Sequence, residues 1–258
     1  MVWIDLEGAV NVRDVGGLPT EDGGQTVYGR LLRSENLQEL TAADVGKLVD
    51  GIGVTTVVDL RTTAEVELEG PGPLDAVPSV HHTHYPVLPE LGSRTDAVAE
   101  ALLLKKREED LSRFPDDLMC GHYLGYLEDR PAEVTGALRT IATSQGASIV
   151  HCAAGKDRTG VIVALALTVA GVEPEAIVAD YMATAERMDA IIDRLARSRT
   201  YSSDVTSRPV RAHLPREETM KSLLEQLHVR YGGLPRWLAG HGFTEDDTDQ
   251  LRAKLRLA

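Results

Sequence analysis

The segment from Ser148 to Gly171 constrains the fold of this chain more than any other stretch of its sequence. Ser148–His151 has the pattern of a short buried strand, and a glycine-containing turn follows it. From Thr159 the chain continues as an apolar helix pattern that ends at Gly171. A strand that leads through a short turn into a helix is typical of parallel sheets. We therefore expect an α/β fold with a mainly parallel central sheet flanked by helices.

Further strand and helix patterns favour the same fold class. Val54–Leu60 is rich in β-branched residues and apolar at its end, which indicates a buried parallel strand. Val27–Arg33 and His81–Val87 are further candidate strands. Thr41, with an acidic residue three positions later, predicts a capped helix. Helices are predicted over 41–50, 96–110, 115–127, 131–144, 159–171, 175–197, 216–231 and 245–257, with a break over 199–215.

Length and composition predict one large domain. The 258 residues, of which 43% are hydrophobic, suffice for a sizeable core, and because no linker is visible we assign 1–258 to a single domain. Two cysteines are too few for a disulfide framework. The N-terminus lacks a basic start followed by an apolar run, and Val161–Val172 is shorter than the roughly 18 residues that span a bilayer. A cytoplasmic protein is expected, with secretion without a signal peptide left open.

The net charge restricts the partners. At −13, the chain could meet nucleic acid or an anionic membrane only through a local basic patch. We expect no nucleic-acid partner and no stable membrane insertion, and the sequence leaves the oligomeric state open. A phosphate site in such a chain must be built from a few concentrated donors.

The residues that carry chemistry lie in the turn after the strand. Cys152 and Arg158 are separated by five residues, beginning with Ala153, Ala154 and Gly155. A loop of this length can direct its backbone N–H groups to one point, and the helix N-terminus adds its positive end. The small residues let the backbone close around a tetrahedral dianion. The spacing therefore predicts a phosphate-binding loop.

Each polar side chain of this loop has an expected role. Electropositive surroundings favour the thiolate, so Cys152 is the candidate nucleophile for phosphorus. Arg158 can bind two phosphate oxygens with its planar fork. Thr159 can donate to the sulfur, and His151 is expected to orient the loop from behind. The predicted reaction transfers phosphate to the cysteine and then hydrolyses the phosphocysteine with water.

Four separated motifs carry a family resemblance. The pattern His-Cys-x-x-Gly-Lys-Asp-Arg-Thr-Gly begins at His151, and the others are Asn11–Gly17, Leu32–Ser34 and Val58–Arg61. Together they resemble the bacterial protein-tyrosine phosphatase B family, within the protein-tyrosine phosphatase superfamily and its Cys-x5-Arg signature loop. The resemblance extends from about residue 11 to the C-terminal region.

The resemblance implies a phosphotyrosine phosphatase fold and activity without a metal or other cofactor. It also implies activity that extends to phosphoserine, phosphothreonine and phosphoinositides, so the expected partners are phosphorylated proteins or lipids. A mobile helical lid is implied as well, and the break in the helical pattern places it at about 187–213. By the same resemblance Lys156 and Asp157 face the substrate.

The leaving group needs a proton, and two residues could supply it. Many relatives use an aspartate from a separate loop, but the equivalent stretch here contains Glu90 and no aspartate before Asp96. Asp157 is the first candidate, because its place in the loop keeps it close to the phosphate. Glu90 is the second.

Other residues have competing interpretations. Arg61, at the carboxyl end of a strand, could contact substrate or brace Asp59. Lys156 could attract charged phosphates or be a surface lysine, and Cys120 is interpreted as a small buried hydrophobe rather than a redox centre. His81, His82 and His84 lack ligand spacing for a metal. We interpret Asn11, Arg13, Asp14 and Arg33 as ties between the amino-terminal turn and the core.

The sequence thus defines two sets of candidates. The catalytic candidates are Cys152, Arg158 and Asp157, and the substrate-binding candidates are Ala153, Ala154, Gly155, Lys156, Thr159, His151 and Arg61. Three alternative functions stay open: a phosphatase acting mainly on phosphoinositides, a rhodanese-type sulfurtransferase, and a non-catalytic module that binds phosphopeptides. The amino-terminal motifs fit the sulfurtransferase poorly, and the presence of both Cys152 and Arg158 disfavours the binding module.

Overall fold

The computed structural model describes residues 1–89, 117–207 and 209–256. Within these residues six strands form one sheet in the order β1-β2-β3-β6-β4-β5. Strands β3, β6, β4 and β5 run parallel to one another. Strand β2 pairs antiparallel with β3, and β1 pairs antiparallel with β2. The α/β fold with a mainly parallel central sheet is therefore confirmed. The strands are β1 (Val2–Trp3), β2 (Arg13–Asp14), β3 (Leu31–Ser34), β4 (Val54–Asp59), β5 (His81–His84) and β6 (Ala147–His151).

Helices cover both faces of this sheet. They are α1 (Ala42–Gly46), α2 (Thr63–Glu69), α3 (Leu118–Asp129), α4 (Pro131–Thr143), α5 (Asp157–Val169), α6 (Pro174–Ala183), α7 (Met188–Leu195), α8 (Ser202–Thr206), α9 (Glu217–Tyr231), α10 (Leu234–Gly240) and α11 (Glu245–Leu255). A π-helical turn (Lys47–Ile52) continues α1, and 3-10 turns lie at Pro73–Ala76, Thr184–Arg187 and Val210–Ala212. In the described ranges, no helix has the length and apolar character needed to cross a membrane.

The core consists of two layers, one on each face of the sheet. Successive residues of a strand point to opposite faces. Val150 of β6 accordingly packs into the large cluster formed by α3 to α6 and the C-terminal helices, whereas Ile149 packs on the other face with Leu48 and Leu74. Helix α5 is central to the larger layer, since every residue from Arg158 to Leu167 is buried. The loop between β6 and α5 is thereby fixed at both ends.

Several boundaries differ from the sequence prediction. The long helical pattern over 175–197 is interrupted by the 3-10 turn between α6 and α7. Beside this turn Arg13 donates to the backbone carbonyl of Asp180 in α6 at 2.7 Å and to the hydroxyl of Thr184, the first residue of the turn, at 3.0 Å. Arg13 of β2 thus bonds to the end of α6 at the point where the α-helix changes to a 3-10 turn. The strand expected at Val27–Arg33 occupies Leu31–Ser34, and the helix expected over 96–110 lies outside the described residues.

Of the strands and α-helices in the described residues, five have no counterpart in the sequence prediction, among them α8, which lies inside the expected break over 199–215. Strands β1 and β2 are only two residues long, too short for a periodic pattern. Helices α2 and α10 have seven residues each. For α2 a signal was present, because Thr62 and Glu65 form a capping box at its start.

Candidate active site

Donors outside the loop between β6 and α5 hold this loop by hydrogen bonds to its backbone carbonyl groups. The pairs are the Asn36 N–H with the Ala153 carbonyl (2.9 Å), the Asn11 side-chain amide with Ala154 (3.0 Å) and the Arg33 guanidinium with Gly155 (2.8 Å). Because a peptide unit is planar and trans, its N–H points away from its carbonyl. The three N–H groups of the same units are therefore directed away from these outside donors, towards the interior of the loop. This is the arrangement that binds an anion.

Gly155 is required by the backbone of this loop. Its φ is +67°, in the left-handed region that favours glycine. A Cβ at this position would lie 2.5 Å from the carbonyl oxygen of Ser34 and 2.6 Å from the Glu35 nitrogen. Both the conformation and the close approach of β3 exclude a larger residue.

A buried ion network supports the loop from behind. Asp180 of α6 accepts hydrogen bonds from Arg13 (2.8 Å) and Arg33 (2.6 Å), and all three side chains are nearly inaccessible to solvent. Arg13 also donates to the side-chain oxygen of Asn11 at 2.7 Å, which orients the amide that holds Ala154. Burial opposes ionisation of Asp180, yet the two arginines hold its pKa below the ordinary value. The amino-terminal motif thus braces the loop.

The loop places Cys152 beside Thr159. The Thr159 hydroxyl donates to the Cys152 sulfur at 3.1 Å, and both residues are buried. A hydroxyl donor at this distance stabilises a thiolate in preference to a thiol. The structure therefore brings together the predicted nucleophile and the predicted donor to its sulfur.

Arg158 is anchored by Glu65, a residue that the sequence analysis did not single out. Its terminal nitrogens donate to the two carboxylate oxygens of Glu65 at 2.8 Å and 3.2 Å, and one also donates to the Leu60 carbonyl at 3.2 Å. Glu65 is completely buried. The capping box that starts α2 was the sequence signal for this residue, but nothing local linked it to Arg158.

His151 and Arg61 meet at Asp59 behind the loop. Arg61 donates to both carboxylate oxygens of Asp59, at 2.5 to 3.0 Å, and the His151 ring nitrogen Nε2 lies 3.7 Å from the same carboxylate. Burial lowers the pKa of His151 to about 4, so the ring is neutral at pH 7. Of the two interpretations of Arg61, the structure shows the pair with Asp59.

Asp157 and Lys156 lie side by side at the start of α5. The Lys156 ammonium is 3.3 Å from an Asp157 carboxylate oxygen and donates to the His213 carbonyl at 2.7 Å. The Tyr123 hydroxyl of α3 donates to the other oxygen of Asp157. Glu90, the second candidate for the proton donor, lies outside the described residues.

The segment from α7 to α8 covers the loop. Ile191, Leu195, Tyr201 and Val205 form an apolar cluster with Ala153 of the loop. Beneath this cover Cys152 and Arg158 are each only 2% exposed. The cover is tied down at its edge, since Arg194 lies 3.1 Å from Glu39 and 3.6 Å from Glu35, and Ser198 donates to Glu69 at 2.8 Å. This segment falls within the range predicted as a lid.

The remaining candidates lie away from the loop. Cys120 is buried in α3, where burial raises the pKa of its thiol to about 12. His82 lies 3.4 Å from Asp75, and the side chain of His84 bonds to the Arg61 carbonyl at 2.7 Å. In the part of the chain that the structure describes, no three His, Cys, Asp or Glu side chains cluster as metal ligands.

Comparisons with known proteins give the site a context. A model of the tyrosine phosphatase family matches residues 4–257. The triple specificity protein phosphatase PtpB of Mycobacterium tuberculosis is 27% identical in a 275-residue alignment that covers 97% of this chain and 98% of that protein. A tyrosine-protein phosphatase of Nostoc commune is 30% identical over 230 residues, or 87% of this chain and 73% of its own. The similarity therefore includes the loop together with the elements that hold it.

Proposed function

The chain belongs to the tyrosine phosphatase family, and from this premise we propose that it hydrolyses phosphotyrosine monoesters through a phosphocysteine on Cys152. The observation that carries the proposal is the loop that joins β6 to α5. Its carbonyls are tied outwards, its N–H groups face inwards, and the Cys152 sulfur accepts a hydrogen bond from Thr159. A thiolate beside an anion-binding loop is a nucleophile held against phosphorus.

The first chemical step forms the phosphocysteine. The Cys152 thiolate attacks phosphorus and the ester P–O bond breaks, while Asp157 gives its proton to the departing phenolate oxygen. Arg158, held by Glu65, binds two equatorial phosphate oxygens and follows them into the transition state. The inward N–H groups stabilise the charge on the third oxygen.

The second step releases phosphate. Water attacks phosphorus, the S–P bond breaks, and the water proton passes to the Asp157 carboxylate, which restores its acid form. The sulfur departs as a thiolate, and the Thr159 hydroxyl at 3.1 Å stabilises its charge. Each group thus returns to its initial state.

Substrate entry requires the cover to move. Cys152 is only 2% exposed, and Ile191, Leu195 and Tyr201 pack against its neighbour Ala153, so we infer that this cover must move before a phosphotyrosine side chain reaches the sulfur. We assign residues 187–213 as a mobile helical lid on this ground. Opening breaks the contacts of Arg194 with Glu35 and Glu39, and the bond from Lys156 to the His213 carbonyl.

The proposed substrate range is wider than phosphotyrosine. The relative from Mycobacterium tuberculosis is named a triple specificity phosphatase, and we extend the range here to phosphoserine, phosphothreonine and phosphoinositides. The observation that favours phosphoinositides is Lys156, an ammonium in the loop that would be freed from His213 when the lid opens. Released from His213, this ammonium, which also lies 3.3 Å from Asp157, would attract additional phosphates. The net charge of −13 supports a chain without a nucleic-acid partner, and we propose a cytoplasmic location.

The decisive experiment measures phosphate release from phosphotyrosine, phosphoserine, phosphothreonine and phosphoinositide substrates, with EDTA present, for wild type and Cys152→Ser. We expect turnover by the wild type and none by the variant. Turnover that survives the substitution would exclude Cys152 as the nucleophile. Thiosulfate:cyanide transfer without phosphate release would favour the sulfurtransferase, and stoichiometric phosphopeptide binding without release would favour the binding module.

A further inference from the structure

The contacts of Asp157 point to a positioning residue for the proton-transfer steps. We propose that Tyr123, oriented by Tyr181, holds the Asp157 carboxyl group in the geometry that protonates the leaving group. This inference rests on the proposed function and deepens it, because it assigns a role to two tyrosines that lie outside the phosphate-binding loop.

The three side chains form a directed chain of hydrogen bonds. The Tyr123 hydroxyl donates to the Oδ1 oxygen of Asp157, and the hydroxyls of Tyr123 and Tyr181 are 2.8 Å apart. A phenol has a single proton to donate. Because Tyr123 gives its proton to Asp157, Tyr181 must be the donor to Tyr123. The hydrogen bonds therefore run in one direction, from Tyr181 through Tyr123 to the Asp157 carboxylate.

Core packing fixes the positions of the two tyrosines. Tyr123 is fully buried and Tyr181 is 2% exposed, and their rings meet edge to face with centroids 6.4 Å apart. The Tyr181 ring also packs against Gly160 of α5, where a Cβ would lie 2.9 Å from it. Phenylalanine could fill the same volume at either position. The buried hydroxyls are thus needed for the hydrogen bonds, not for filling the core.

Both tyrosines stay protonated over the pH range of an assay. Burial, with the Asp157 charge adding to it, raises the pKa of Tyr123 well above its ordinary value, and the same two causes raise the pKa of Tyr181. Tyr123 therefore remains a donor throughout the reaction. Its bond occupies Oδ1 and leaves Oδ2 of Asp157, 3.3 Å from the Lys156 ammonium, to carry the transferred proton.

The role follows from what each oxygen of Asp157 does. In the first step Oδ2 gives its proton to the ester oxygen, and the bond from Tyr123 stabilises the carboxylate that forms. In the second step Oδ2 takes a proton from the attacking water. Tyr123 keeps its own proton in both steps, so it acts through Asp157 and does not contact the reacting atoms.

The test compares Tyr123→Phe with wild type on two substrates of different leaving-group quality. Phenyl phosphate needs a proton on its leaving oxygen, whereas p-nitrophenyl phosphate depends on it much less. We expect kcat/KM, which reports the step that breaks the P–O bond, to fall about tenfold for phenyl phosphate and less than about threefold for p-nitrophenyl phosphate, since general acid catalysis contributes about 10²–10⁴-fold in all. Tyr181→Phe should show the same preference with a smaller loss.

Tyr231→Phe is the matched control. Tyr231 also donates a hydrogen bond to a carboxylate on α3, that of Glu128 at 3.3 Å. This pair does not involve Asp157, so its loss should change kcat/KM for neither substrate. A melting temperature of Tyr123→Phe close to that of wild type would show that the variant folds.

A double-mutant cycle separates positioning from packing. In an Asp157→Asn background, Tyr123→Phe should lower kcat/KM for phenyl phosphate by less than about twofold more, because the asparagine side chain has no acidic proton to transfer. An equal loss on both substrates, or the same loss in both backgrounds, would overturn the inference. Asp157→Asn without a leaving-group preference would overturn it too, through the role of Asp157. Absence of phosphate release by the wild type would instead refute the proposed function.

Discussion

Both terminal nitrogens of Arg158 donate hydrogen bonds to the carboxylate of Glu65, at 2.8 Å and 3.2 Å. The same carboxylate accepts the Thr62 N–H at 2.8 Å, so it also caps the first turn of α2. One buried side chain therefore fixes the orientation of the phosphate-binding arginine and the start of a helix. The fork of Arg158 is set before any phosphate arrives, which lowers the entropy lost on binding.

Glu65→Gln should impair both binding and stability. The amide cannot accept two charge-assisted bonds from Arg158, and removing one charge of a buried pair costs about 3–5 kcal/mol of unfolding free energy. We expect kcat/KM for phosphotyrosine peptide to fall by about 10²-fold, because Arg158 loses the orientation that suits the transition state. Enzyme kinetics and urea denaturation measure the two effects.

Glu67→Gln provides the comparison for Glu65. Glu67 is exposed on the same helix, two residues further on. Its substitution should leave kcat/KM and the free energy of unfolding within experimental error of wild type. Equal effects of the two substitutions would contradict the role given to Glu65.

Gly155→Ala should abolish most of the activity. The Cβ would lie 2.5 Å from the Ser34 carbonyl, and the residue would keep a φ of +67°. β3 or the loop must shift, and the N–H groups would then lose their common direction. We expect a fall in kcat/KM of at least about 10²-fold, the size of losing one such donor or more, and weaker inhibition by vanadate.

Gly53→Ala separates backbone strain from the steric clash. Gly53 also has a positive φ, +86°, but a Cβ there would meet nothing within 4 Å. This variant should lose stability by about 1 kcal/mol or somewhat more and keep its kcat/KM. If Gly53→Ala lost as much activity as Gly155→Ala, the contact with Ser34 would not be the cause.

The local part of the site could be predicted from the sequence, and its long-range partners could not. The strand Ala147–His151, the loop and α5 are adjacent along the chain, so their residue types and spacing carry the signal. Glu65 is 93 residues from Arg158, and Tyr123 is 34 residues from Asp157. Such pairs are set by how α2 and α3 pack against the sheet, which no local pattern encodes.

The fold shows the same division. The capped helix at Thr41 was predicted because its capping box with Asp44 is a four-residue signal, and the structure confirms it. The break between α6 and α7 coincides with hydrogen bonds from Arg13, 167 and 171 residues away. Tertiary contacts of this kind override helical propensity, so the pattern over 175–197 predicted one helix where the structure has two.

His151 should make the protein less stable in mild acid. Its pKa is about 4 in the folded chain, because of burial, and about 6.5 in an unfolded chain. Between these values the unfolded state binds the proton and the folded state does not. His151 therefore does not lower the free energy of unfolding above pH 6.5. As the pH falls from 6.5 towards 4, proton uptake by the unfolded state lowers this free energy by up to about 3 kcal/mol.

Urea denaturation at several pH values between 7 and 4 measures this dependence. His151→Gln cannot titrate there, so its free energy of unfolding should fall less steeply with pH than that of wild type. His228→Gln, which replaces an exposed histidine of α9, should keep the wild-type slope. Equal slopes for His151→Gln and wild type would mean that the ring is protonated in the folded state over this range.

Arg194→Ala should expose the nucleophile. Arg194 joins α7 to Glu39 at 3.1 Å and to Glu35 at 3.6 Å, at the edge of the cover over Cys152. An ion pair of this partly exposed kind is worth about 1 kcal/mol or less, so its loss should raise the open fraction by up to about fivefold. When opening limits access, the rate of Cys152 alkylation by iodoacetamide at neutral pH rises in proportion.

Arg197→Ala is the matched control, since Arg197 is an exposed residue just beyond α7, and this substitution should leave the alkylation rate unchanged. Alkylation of Arg194→Ala at the wild-type rate would show that this contact does not hold the segment closed, and that the apolar cluster around Ala153 alone determines access to the sulfur.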